Sequence, residues 1–146
     1  MNNEISQEDE NVMDIFFSLK EEERFDEAFE VLSPLKIKYP ENFKIYFLLG
    51  VVLYELKDFE QAKINLKKAV SLNPTHALSS LVLIHSLASL SEWHTAFNEI
   101  RRFIVMNKNN IEEHLLLINE LLENKNNFST SEREAIRKLY INSGKR

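Results

Sequence analysis

Phe25, Phe59 and Trp93 are evenly spaced along the chain, and Ala28, Ala62 and Ala96 keep the same interval. That interval also links Leu32, Leu66 and Ile100, the series Leu19, Leu53, Leu87 and Leu121, and the pair Pro40 and Pro74. Agreement at this many positions constrains the fold more than any other feature of the chain. A period of about 34 residues holding two helical patterns is the signature of stacked helix-turn-helix repeats. One such unit cannot bury its apolar face alone, so units stack into a solenoid.

The clearest unit runs from Phe43 to Pro74 and reads as two amphipathic helices broken at Lys57–Asp58. Tyr46, Leu49, Gly50 and Leu53 share a face of its first helix; Phe59, Ala62, Leu66, Ala69 and Val70 repeat at helical spacing in its second. Asp58 is placed to cap that second helix. The unit before it has Val12, Ile15, Phe16 and Leu19, a turn at Glu21–Glu23, then Phe25, Ala28, Phe29, Leu32 and Leu35. Pro34 lies inside this pattern and predicts a kink or a restart, because proline removes a backbone bond. The unit after it runs from Ala77 to about Lys108, with Ser91 the expected cap between its helices. Two further helices follow, the last expected to be capped by Ser131 with Glu134 completing a capping box.

The expected organisation is a helix-rich domain over residues 8–142, with repeats at about 9–42, 43–76 and 77–110 and a capping pair at 111–142. Residues 1–7 carry no periodicity and are expected to be disordered; 143–146 form a tail. Two glycines and three prolines in 146 residues disfavour turn-rich β folds.

Composition removes several classes of function. The chain has no cysteine, which excludes disulfides and thiolate sites. A formal net charge of −5 argues against general nucleic-acid binding. The charge is uneven: residues 1–30 carry eleven acids against Lys20 and Arg24, a balance of −9, and the remainder stands at +4. No apolar run is long enough to span a membrane, and the acidic start is no secretory signal, so a cytoplasmic setting without membrane insertion is expected. Gly50 and Gly144 alone cannot build a phosphate loop. His76, His85, His94 and His114 form no metal-ligand pattern, so no metal, no cofactor and no catalytic residue is expected.

The chain resembles the tetratricopeptide-repeat (TPR) proteins. Tyr46, Leu49–Gly50, Leu53, Phe59, Ala62, Leu66, Ala69 and Pro74 carry that family's pattern in the middle unit. The fold so implied is all-α: a right-handed α-solenoid of three TPR helix pairs plus a C-terminal capping helix pair. Phe16 and Ile84 depart from the small residue at Gly50's place, which predicts wider or tilted packing of those pairs. Asn127 and Thr130 depart from the aromatic and the alanine in the last unit, which reads as a cap.

The resemblance also implies a concave groove lined by the first helix of each unit. The inward positions are Met13 and Phe17; Lys44, Phe47, Val51 and Tyr54; Leu78, Leu81, His85 and Ala88; and Leu115, Asn119 and Leu122. The lysine, asparagine and arginine clamp that some TPR proteins close on a terminal carboxylate is absent from these positions. The apolar lining resembles that of the small bacterial type III secretion TPR chaperones. The expected function is a non-enzymatic adaptor or small chaperone holding an apolar or amphipathic segment of another protein. The alternatives are a self-associating scaffold or assembly-factor subunit, including a homodimer, and an inhibitor of immunity type acting through the acidic first repeat.

Overall fold

The computed structural model describes residues 4–109, 111–123 and 127–142. Among them are nine helices and no strand. They are α1 (Gln7–Glu21), α2 (Phe25–Leu32), α3 (Leu35–Lys38), α4 (Phe43–Glu55), α5 (Phe59–Leu72), α6 (Ala77–Ser89), α7 (Trp93–Met106), α8 (Ile111–Glu123) and α9 (Thr130–Asn142). The chain is a helical repeat fold that divides into two compact units, Met1–Ser86 and Leu87–Arg146.

The repeat is written into the backbone as well as the sequence. Glu23, Lys57 and Ser91, each one period from the next, adopt left-handed φ angles of 58°, 63° and 58°. After each of them an N–H reaches back to a leucine carbonyl: Arg24 to Leu19, Asp58 to Leu53 and Glu92 to Leu87, all at 2.9 Å. This six-to-one bond closes a helix end and turns the chain into the next helix. The equivalent leucines therefore serve twice, as packing side chains and as acceptors. Ser91 is the left-handed residue rather than the cap; Glu92 precedes α7, with no side-chain cap bond.

In the first unit α1 packs on α2, α2 and α3 pack on α4, and α4 packs on α5. Phe16, Ala28, Leu32, Ile45, Leu49 and Val52 are wholly buried there. Gly50 allows the close approach of α4 to α5: a Cβ in its place would lie 2.5 Å from Leu66 Cγ. Pro34 acts as the sequence predicts. α2 ends at Leu32, and α3 restarts after Pro34.

α1 begins at Gln7, and Ser6 caps it by accepting from Asp9 N–H at 3.2 Å. Residues 4–7, expected to lack structure, thus include a cap and a helix start, and Ile5 packs against the core of the unit. Asp9, one acid among many in the sequence, is buried. Its Oδ2 accepts from Tyr39 O–H at 2.6 Å, Lys38 Nζ at 2.7 Å and Ser6 O–H at 3.0 Å. Tyr39 in turn accepts from Ser6 N–H at 3.1 Å. This clamp ties the start of α1 to the end of α3.

In the second unit α7 packs on α9, and Ile100, Phe103, Ile104, Ile118, Phe128 and Ile136 are buried. Phe128, one residue beyond the expected aromatic position, meets Trp93 edge to face at 5.5 Å. α9 starts at Thr130, and its cap is Ser129 rather than Ser131, with Glu132 completing the capping box. Glu132 N–H donates to Ser129 Oγ at 3.0 Å, and Ser129 N–H to Glu132 Oε1 at 2.9 Å.

Candidate peptide-binding face

A peptide-binding face needs apolar side chains that the fold presents but does not consume. The positions of α4 expected to face inward are Lys44, Phe47, Val51 and Tyr54, and each recurs one period later in α6 as Leu78, Leu81, His85 and Ala88. Such spacing keeps each set on one side of its helix. In the first unit the most open apolar members are Phe17 on α1, 44% exposed, and Leu78 on α6, 51% exposed. Lys44 is exposed, and Phe47, Val51, Tyr54 and His85 are half-buried.

Two of the first unit's residues expected in the groove are consumed by the core. Met13 and Leu81 are buried, so they support the face instead of offering side chains to a ligand. Phe47 packs against the core of the first unit. Tyr54 leans on Phe59 at 5.4 Å, edge to face, which anchors it to the start of α5. The open apolar surface is therefore smaller than the sequence implies. In the second unit Asn119 is exposed and Leu122 buried, whereas the Leu115 side chain lies outside the described residues.

His76 belongs to this neighbourhood, although its register position did not single it out. Its ring lies 5.0 Å from that of Phe43 and 4.8 Å from that of Phe47. Its Nδ1 accepts from Ser79 N–H at 3.3 Å and lies 2.7 Å from Ser79 Oγ, the place of a side chain capping α6. Burial, with Lys44 nearby, pushes the His76 pKa below its ordinary value. Neutral His76 is the form that accepts this bond. Asn42, one period earlier, caps α4 by accepting from Lys44 N–H at 3.0 Å. That shared interval is the signal that could have found His76.

Ile5 and Glu10 approach the start of α4. Ile5, Glu10, Asn42, Phe43 and Lys44 line a small cleft there. Among the described residues no group of three or more His, Cys, Asp or Glu side chains is placed to hold a metal ion. None of the described helices is long and apolar enough to cross a membrane.

The tetratricopeptide repeat family model matches residues 43–76. No curated protein sequence gives a match. Among solved structures, the chain is similar to the Yersinia enterocolitica type III secretion chaperone SycD in complex with a peptide of the translocator YopD. The TM-score is 0.71 at 14% identity, over 94% of this chain and 98% of that one. It is similar to the first TPR of Spaghetti (RPAP3) bound to an HSP90 peptide, with TM-score 0.69, 19% identity and coverage of 84% and 98%. The TPR2B domain of yeast Sti1 in its pHsp70 complex gives 0.67 at 15% identity, over 94% of this chain and 97% of that one. Residues 43–76 are a tetratricopeptide repeat, and the chain has the fold of TPR domains, with the chaperone SycD among the structures it resembles.

Proposed function

We propose that this protein is a non-enzymatic interaction module that holds an apolar or amphipathic segment of another protein against the inward positions of α1, α4 and α6. The observation that carries this reading is the pair Phe17 and Leu78, large apolar side chains left open among the expected inward positions, of which Phe47, Val51 and Tyr54 are only half covered. Two of the similar structures are peptide complexes, which supports the reading by analogy of fold. Among the sequence-predicted positions Lys44 is the one permanent cation, so the face suits apolar side chains better than a terminal carboxylate. Fully burying such an anchor contributes roughly 1.5–3 kcal/mol before ordering costs. A small chaperone or adaptor, working in the cytoplasm, is the role this surface would serve.

The test is Phe17→Ser combined with Leu78→Ser. Both side chains are open to solvent, so helical content by circular dichroism should be kept. Capture of the partner should fall by about tenfold or more, which corresponds to about 1.4 kcal/mol. Undiminished capture by a folded double variant would sink the reading. Light scattering separates a free face from one masked by a second copy.

A further inference from the structure

A second surface lies within the first unit, on side chains that the inward face does not use. Ile64, Lys67, Lys68 and Ser71 line one bank of a cleft of about 640 Å³ at the spacing of a single stripe along α5. Lys36 and Ile37 of α3 line the other bank, and Tyr46 of α4 lies between them. Ile37 is 82% exposed and Ile64 is 54% exposed. These two isoleucines leave an apolar strip open to solvent.

The base of the cleft is fixed. The Tyr46 phenol donates to the Pro40 carbonyl at 3.0 Å, and buried Asn65 donates to the Gln61 carbonyl at 2.9 Å. The Lys68 ammonium lies 6.0 Å from the centre of the Tyr46 ring. The charges around the cleft are segregated. Among the described residues Lys36, Lys67 and Lys68 pair with no carboxylate, whereas Lys38 and Lys63 are taken by Asp9 and Glu60. Three cations thus flank an apolar strip in a chain whose net charge is −5.

From this juxtaposition we propose that the cleft docks an acidic amphipathic segment of another protein, its apolar side chains between Ile37 and Ile64 and its carboxylates on Lys36 and Lys67. Two exposed isoleucines favour a peptide over a nucleic acid, whose bases stack on aromatic rings and whose phosphates need a net basic surface. The open form of the cleft also suits a peptide ridge better than an enclosed small molecule. The protein then has two docking surfaces of different chemistry, an apolar inward face and this basic-rimmed cleft.

The test uses the full chain and two fluorescein-labelled amphipathic helical peptides with the same leucine face, one with glutamates and one with lysines on the polar face. Fluorescence anisotropy at low salt should show the glutamate peptide binding at least tenfold more tightly. The combination Lys36→Glu with Lys67→Glu should reverse that preference, and Ile64→Ser should weaken both peptides. All three side chains reach solvent, and circular dichroism checks that each variant is folded. Phe17→Ser with Leu78→Ser should leave the glutamate peptide bound, which separates this site from the inward face. Equal affinity for the two peptides, indifference to the lysine reversals, loss of binding in the inward-face variant, or a dimer of the free protein that masks the cleft would each overturn the proposal.

Discussion

The first two helix pairs of the chain share one turn and are held together in different ways. In both, a left-handed residue, Glu23 or Lys57, closes the first helix onto a leucine carbonyl. In the second pair, contact at Gly50 is so close that no Cβ fits against Leu66. In the first, the equivalent position is filled by Phe16, which is itself wholly buried. The first pair also carries the polar clamp of Asp9, Tyr39, Lys38 and Ser6, of which the second has no counterpart on the same register. The difference shows what the period dictates and what it leaves free. It dictates the turn and the packing of one helix on the next; the size of the side chain at the crossing, and the means of fastening a helix start, vary from repeat to repeat.

The two helix pairs differ most where their helices cross. Phe16→Ala would leave a void the size of a ring and should cost about 3–5 kcal/mol of stability in denaturant unfolding. Gly50→Ala does the opposite, adding one carbon where Leu66 leaves no room. Alanine's better helix propensity offsets part of that strain, and the net loss should be about 1–3 kcal/mol. If Gly50→Ala instead stabilised the protein, the close contact would not be what sets the spacing of the second pair.

The shared turn gives a smaller effect of opposite sign. A left-handed conformation costs an L-residue roughly 1–2 kcal/mol that glycine does not incur. Lys57→Gly should therefore raise stability by up to about 1 kcal/mol once the added freedom of the unfolded glycine is counted. Glu23→Gly should act the same way, and a loss at either site would contradict the common turn.

The mildest test concerns how α4 and α6 start. Asn42 cannot titrate, whereas His76 can. The His76 pKa is lowered from its ordinary 6.5 by burial and then by Lys44, so the unfolded chain takes up the proton first as pH falls. This contribution is complete above pH 6.5 and is lost as pH drops from there through the folded pKa. His76→Asn, which copies the cap of the preceding repeat, should flatten the stability profile as pH falls below 6.5. Asp9 adds a separate acid limb: hydrogen bonds from Lys38, then Tyr39, lower its pKa from 3.8. That stability is present above the ordinary value and disappears as pH falls below it.

Much of this is legible in the sequence, because packing repeats where side chains repeat. The helix pairs, the Pro34 restart and the Asp58 cap all follow from spacing and local chemistry. The three left-handed residues are not legible, since Glu, Lys and Ser share no property that marks the conformation. Asp9 looks like its neighbours Glu8 and Glu10, and only Tyr39, distant in the chain, distinguishes it. Ser129 and Ser131 both precede a glutamate at capping-box distance, and local sequence does not choose between them. The inward register gives direction without depth. Phe17 and Met13 lie on the same face of α1, yet one is open and the other enters the core.

That difference in depth decides which side chains can meet a partner. Methyl-labelled protein titrated with a partner segment recovered by capture would report it directly by NMR. Binding across the inward face predicts that the Val51 and Leu78 methyl signals shift together and saturate with the peptide, while those of exposed Ile141 stay in place. Shifts that spare Val51 and Leu78 would contradict the claim that this face holds the partner.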